Sequence, residues 1–203
     1  MRRLSLLATT LIAMSPLPSY AESYQKAGSE LQIGETATVP HLVPKGPEVP
    51  IELRITAIEE GSANDLKGFE IPVNLKNARP IYVRYEYKNL SDADLSAQSI
   101  GAFVAIDDRD QAHAPVSTLS GGTFTTCATP TAKALTQGKT GQGCLLFMIH
   151  ANGRLKAAAY KGHYRSEGGA NPQVSYPIYY NPVRWTASKS ATVPSGERRT
   201  IVQ

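Results

Sequence analysis

Residues 81–88 read Ile-Tyr-Val-Arg-Tyr-Glu-Tyr-Lys. Ile81, Val83, Tyr85 and Tyr87 fall on one side of an extended chain; Tyr82, Arg84, Glu86 and Lys88 fall on the other. Period-two alternation of this kind marks a strand with one buried face. Asn89 to Asp94 supplies the turn residues that end it. A strand so patterned requires a second layer to cover its apolar side. The rest of the chain is best read as the source of that layer.

A second strand is expected where Ile51, Leu53, Ile55 and Ala57 alternate with Glu52, Arg54 and Thr56. Ile58 breaks the alternation and marks a bulge or the strand's end. Ile100 to Ile106 is apolar with less alternation, as in a strand covered on both faces. His113 to Val116 is expected to return after the polar turn Asp107-Asp108-Arg109-Asp110. Gly143 to His150 is a continuous apolar run, and Leu155 to Tyr160 follows it. Asn152-Gly153 between these two predicts a hairpin. Val174 to Trp185 reads as a last strand interrupted by prolines. No amphipathic helix and no internal repeat is visible. The expected fold is all-β: a two-sheet antiparallel β-sandwich, immunoglobulin-like, of seven to nine strands.

The flanks read differently. Arg2 and Arg3 precede an apolar run, Leu4 to Met14, too short to span a bilayer. Pro16 and Pro18 break it, and Ser19-Tyr20-Ala21 has the small residues of a cleavage site. Residues 1–21 are therefore expected to be a secretory signal peptide, with no transmembrane anchor left after cleavage. Residues 22–50 contain Pro40, Pro44, Pro47 and Pro50 and read as a Pro-rich leader with one edge strand at Glu35 to Val39. The sandwich domain is expected over 51–185 and a flexible polar tail over 186–203. Cleavage would remove two of the 21 basic residues and none of the 17 acidic ones, lowering the formal charge from +4 to +2. Such a balance gives no reason to expect nucleic acid as a partner. In an exported chain the two cysteines, Cys127 and Cys144, are expected to form a disulfide. A Cys/His zinc site would need the CxxC spacing, which is absent.

The order of these elements resembles a known family. A strand closing on Asn89, Ser91 and Asp92, a turn at Asp107 and Asp108, then Gly138, Gly143 and Phe147 before a hairpin are its pattern. That pattern is similar to an immunoglobulin-like domain-of-unknown-function family of secreted bacterial proteins and lipoproteins, mostly Gram-positive. The resemblance covers about Glu35 to Trp185 and departs at Arg109 and Asp110, where the family's turn carries a glycine. It implies a fold and an extracellular or envelope location, and no catalytic residues.

Few chemistries find support. Asp107, Asp108 and Asp110 could supply oxygens to a calcium ion, but the loop lacks EF-hand spacing and its glycine; a solvated hairpin turn is the simpler reading. His41, His113, His150 and His163 are scattered without metal-binding spacing. No G-x-S-x-G and no phosphate-binding glycine loop occurs. Tyr160, Tyr164, Tyr176, Tyr179, Tyr180 and Trp185, with Arg165 and Arg184 nearby, suit either a sandwich core or a recognition surface. Tyr82, Arg84, Tyr179 and Trp185 are the residues expected to contact a ligand or partner. The function expected is a non-enzymatic binding or accessory module of the cell envelope or extracellular space, with no cofactor. Its partner would be an envelope or extracellular protein or polymer. The alternative is a secreted hydrolase with a site assembled from loops, drawing on the acidic turn and residues 162–173.

Overall fold

The structure is a computed structural model that describes residues 24–43, 48–96, 100, 102–116, 119–121, 126–127, 135–162, 181–186 and 200–201. Residues 1–21, Phe124, the segment holding His163, Tyr164, Arg165, Tyr176, Tyr179 and Tyr180, and most of residues 187–203 lie outside that description.

Ten strands are formed by the described residues: β1 (Glu30–Gln32), β2 (Thr36–Leu42), β3 (Glu48–Glu60), β4 (Ala78–Asn89), β5 (Phe103–Asp107), β6 (Ala112–His113), β7 (Thr140–His150), β8 (Leu155–Tyr160), β9 (Val183–Thr186) and β10 (Thr200–Ile201). They make two sheets. The first runs β7-β4-β3, with β2 and β10 sharing the far edge of β3; the second runs β1-β9-β8-β5-β6. This is the expected two-sheet sandwich. Two of its ten strands, β6 and β10, are only two residues long.

The main core lies between the sheets. Ile81, Val83, Tyr85 and Tyr87 all face it, as the alternation requires. So do Ile51, Leu53 and Ile55, each worth about 1.5–3 kcal/mol of burial. A bulge between Ile55 and Ala57 then shifts the phase of β3. Ile58 takes the core position and Ala57 pairs with Arg84 on the other face. The extra residue keeps the strand running to Glu60 instead of ending it.

Two glycines make room for the aromatic part of this core. Tyr85 lies opposite Gly143 and Tyr87 opposite Gly141 on β7. A Cβ at Gly143 would stand 2.2 Å from the Tyr85 ring, and one at Gly141 would stand 2.6 Å from the Tyr87 ring. Tyr85 then stacks toward Phe103 at 5.1 Å, and Phe103 meets Tyr160 edge-on at 5.4 Å, so the aromatic chain crosses from one sheet to the other. Burial, followed by the neighbouring Tyr87, pushes the Tyr85 phenol up to about 12; a backbone hydrogen bond with Ile100 opposes this. The Tyr160 hydroxyl donates to the Pro40 carbonyl at 2.7 Å.

Several connections differ from the sequence reading. Asn152-Gly153 makes a turn, with Gly153 N–H donating to His150 O at 2.8 Å, but the turn is not a hairpin. β7 belongs to the first sheet and β8 to the second, so residues 151–154 arch over the core. Arg79 fixes the arch: it pairs with Glu60 and donates to the Gly153 carbonyl. Turn chemistry is local, and it does not say which strand a chain will pair with.

The leader is also part of the sandwich. β1 pairs with β9 in parallel, the one departure from antiparallel order among the described strands. The chain then changes sheets at Ile33-Gly34: Ile33 N–H donates to Thr186 O and Gly34 N–H to Ile55 O. Gly34 has φ +94°, which only glycine adopts without strain. The sandwich thus begins at Glu30 rather than at Ile51. Pro40 faces Pro50 across the β2–β3 pair. Thr38, two residues along β2 from Pro40, turns its carbonyl outward to Gln25, so Pro40's missing N–H also falls on the outer side and costs no ladder bond. At the other terminus, Thr200 and Ile201 pair with Glu59 and Ile58, inside the segment expected to be a free tail.

Candidate functional site

The outer face of the first sheet divides into two halves. Near the start of β4 it is apolar. Tyr82, Cys144, Leu146 and Met148 point away from the main core and form a second, smaller one with Leu66 and Cys127. The segment after β3 covers them. Its two 3-10 turns, Ala63–Leu66 and Val73–Leu75, bring in Leu66 and Leu75, while Val116 and Leu119 approach from the other side. Asp65 holds this cover down, accepting hydrogen bonds from Ser62 N–H at 3.0 Å and from the Tyr82 hydroxyl at 3.2 Å. The Cys127–Cys144 disulfide, with Cα atoms 5.2 Å apart, closes it.

Near the end of β4 the same face is polar and open. Strand register sets its side chains in two rows: Thr36, Arg54, Glu86 and Gln142 in one; Thr38, Glu52, Lys88 and Thr140 in the other. Arg54 and Glu86 form an ion pair, with 45% and 24% of their side chains exposed. Gln142 Nε2 donates to the second Glu86 oxygen at 2.9 Å. The hydrogen bond from Arg54, then that from Gln142, holds the Glu86 carboxyl below its ordinary range. Glu52 and Lys88 are cross-strand neighbours, yet among the described residues neither forms an ion pair. Thr36, Glu52, Arg54, Glu86, Tyr87, Lys88 and Thr140 line a recess of about 150 Å³. One charge pair in it is closed and the other is uncommitted.

Arg84 marks the boundary. Its Nε donates to Glu59 at 3.0 Å and its Nη2 to the Thr126 carbonyl at 2.9 Å, tying the residue before Cys127 to the sheet. Of the three described residues among the four expected to meet a partner, Arg84 alone is half-exposed, and it is spent on these contacts. Tyr82 is 1% exposed, not solvent-facing, because residues 62–75 fold back over it. Trp185 is fully buried in the main core and donates to the Glu35 carbonyl at 2.9 Å. Tyr179 lies outside the described residues.

The acidic turn is put to structural use rather than opened to a cation. Asp107 is buried. Its Oδ1 accepts Arg109 N–H at 3.0 Å and Gln111 N–H at 2.8 Å, and its Oδ2 accepts His113 Nε2–H at 3.0 Å. The His113 bond first, then the two backbone bonds, lowers the Asp107 pKa against the opposing effect of burial. Asp110 pairs with Lys156 at 2.7 Å. With these partners Asp107, Asp108 and Asp110 do not converge, and among the described residues no group of three or more His, Cys, Asp or Glu side chains could hold a metal ion.

Asn89, Ser91 and Gly138, three of the residues that carry the family resemblance, have structural roles. Asn89 is fully buried with a satisfied amide. Its Nδ2 donates to Ala93 O and Leu135 O, and its Oδ1 accepts from Ser91 N–H and Ser91 Oγ. Gly138, at φ +77°, forms the turn leading into β7. The open ladder was not singled out from sequence. Its one signal there was the solvent side of the β4 alternation, Glu86 and Lys88, which does not reveal that β2, β3 and β7 bring matching rows.

No family model matches this chain, and no curated protein matches it in sequence. Among solved structures, it is similar to a secreted protein of Mycobacterium tuberculosis, MPT63. Identity is 10%, the TM-score is 0.46, and the match covers 77% of this chain and 95% of that one.

Proposed function

We propose that this chain is an exported immunoglobulin-like sandwich acting as a non-enzymatic binding or accessory module of the cell envelope or extracellular space. It meets its partner on the open half of the first sheet's outer face. The observation that carries this reading is the uncommitted Glu52–Lys88 pair beside the closed Arg54–Glu86 pair, in a recess rimmed by Thr36 and Thr140. Two acidic and two basic side chains alternate there, so a partner of one charge sign is repelled by half of them. A partner with balanced charge, or a neutral one rich in hydroxyls, fits better. The signal-like residues 1–21 and the closed disulfide fit an oxidising compartment.

The test is capture. Residues 22–203 are immobilised and exposed to the producing organism's envelope fraction and spent medium, and bound material is identified by mass spectrometry. The reading expects a saturable partner that the Lys88→Glu variant loses. A partner retained in full by Lys88→Glu would remove the ladder from consideration.

One observation favours the hydrolase alternative. A buried carboxylate, Asp107, orients an imidazole, His113, as in acid–base dyads. Turnover in a hydrolase screen, lost in His113→Ala, would put that reading first.

A further inference from the structure

The open half of the outer face carries its charges in a two-by-two block. Register places Glu52 beside Lys88 in one row and Arg54 beside Glu86 in the next. Along β3 the sign changes from Glu52 to Arg54, and along β4 it changes from Lys88 to Glu86. Neighbouring strands lie about 4.8 Å apart and successive rows about 6.8 Å apart. Every charge therefore has an opposite one beside it in both directions. Such a block is its own complement. Consider a two-fold axis that lies in the contact plane and crosses the strands between the rows. It brings Arg54 onto Glu52 of a second copy and Glu86 onto that copy's Lys88. Thr36 then meets Thr38, and Gln142 meets Thr140. One patch that matches itself is what a closed two-fold contact requires.

The cover on the other half selects this axis. Leu66 and Leu75 add a layer over Tyr82, Leu146 and Met148, beyond the Arg54–Glu86 end of the ladder. The charges also match about an axis along the strands, with Arg54 over Glu86 and Glu52 over Lys88. That axis sets cover against cover and holds the two ladders apart. The axis across the strands places the covers at opposite ends, each beyond the other copy's Glu52–Lys88 row.

We propose that the open ladder is a two-fold contact between two copies of this chain. The proposal rests on the reading of this half as the binding face, and it names the partner. Glu52 and Lys88, which form no ion pair among the described residues, each gain one, and the two Arg54–Glu86 pairs join them in a network. Two rows on four strands measure roughly 14 by 19 Å. That is well below the ~800 Å² per partner of a stable complex, so the dimer is weak and reversible.

Sedimentation velocity on residues 22–203, from micromolar to millimolar protein, reads it. The monomer should shift toward a dimer as concentration rises. The association should weaken about tenfold in 1 M salt, where the screening length falls to about 3 Å. Lys88→Glu sets two carboxylates against each other at both symmetry-related contacts and should abolish the shift. The Glu86→Lys/Lys88→Glu double variant restores opposite charges across this axis and should bring the dimer back. Trp185, fully buried in the main core, reports that each variant is folded. A monomer at every concentration would overturn the proposal. So would a dimer indifferent to salt or to Lys88→Glu, or one that the double variant does not restore. A monomeric chain that still captures another molecule through Lys88 would sink the dimer and leave the binding face standing.

Discussion

The two halves of the first sheet's outer face are built from the same strands, yet one is a core and the other a surface. Tyr82 and Glu86 are two alternations apart on β4, as are Leu146 and Gln142 on β7. Backbone geometry does not separate them. The side chains do, together with what the chain does after β3. Residues 62–75 fold back over Tyr82, Leu146 and Met148, where burial is favourable. Nothing comparable would be gained over Arg54, Glu86 and Lys88, whose desolvation costs more than their pairing returns. Alternation therefore tells which side of a strand faces the main core. It leaves open whether the other side meets water or a second layer.

Mutations on the two halves should separate sharply. Tyr82→Ala leaves a ring-sized cavity in the second core and should cost about 3–5 kcal/mol of cover stability. Hydrogen exchange at the Val116 amide, which bonds to Leu146 O, reads this directly. An unchanged Val116 rate would mean that the cover does not rest on Tyr82.

Gly143→Ala acts on the opposite face of β7 and should disturb the main core instead. Its Cβ would stand 2.2 Å from the Tyr85 ring, an overpacking expected to cost about 1–3 kcal/mol. Thermal melting followed by Trp185 emission checks it. The Gly143→Ala, Tyr85→Leu double variant should recover part of the loss, and no recovery would sever the proposed ring–glycine link.

Acid should act at Glu86 on the open half and, away from both halves, at the β5–β6 turn. The Asp107 carboxyl titrates below its ordinary value of 3.8 because His113 and two backbone N–H groups hold the charged form. A lowered folded-state value contributes stability that is fully present above 3.8 and is lost as pH falls through the lower value. Asp107→Asn should remove that part of the acid sensitivity. If wild type and variant show the same dependence of melting temperature on pH below 4, the turn is not held by this charge.

The smallest effect belongs to the open half. Arg54→Ala should change stability by roughly 0.2–1 kcal/mol, as expected of a pair this exposed, and raised salt should shrink the difference further. A loss of several kcal/mol would mean that the ladder, like Tyr82, is structural.

Much of this was legible in the residues and some was not. The alternating runs of β3 and β4 placed the main core correctly because period two is a property of the strand itself. The cysteine pairing was legible because a chain read as exported has few other uses for two cysteines. Tyr82 and Trp185 read as contact residues yet are buried, because their surroundings come from residues 62–75 and from Glu35, far away in sequence. Asn152-Gly153 reads as a hairpin but forms an arch, because a turn signal carries no information about the sheet that receives the next strand. The Asn89–Ser91 pattern was visible as a motif, but its role, satisfying a buried amide between two loops, needed Leu135 from the other loop.

The most direct test of the division between the halves is a single capture experiment with two variants side by side, Lys88→Glu and Tyr82→Phe. Tyr82→Phe removes only the hydroxyl that meets Asp65 and keeps the ring in place. The account predicts that Lys88→Glu loses the partner and Tyr82→Phe retains it. Retention by Lys88→Glu with loss by Tyr82→Phe would contradict it, and would move the binding face to the half that the cover now hides.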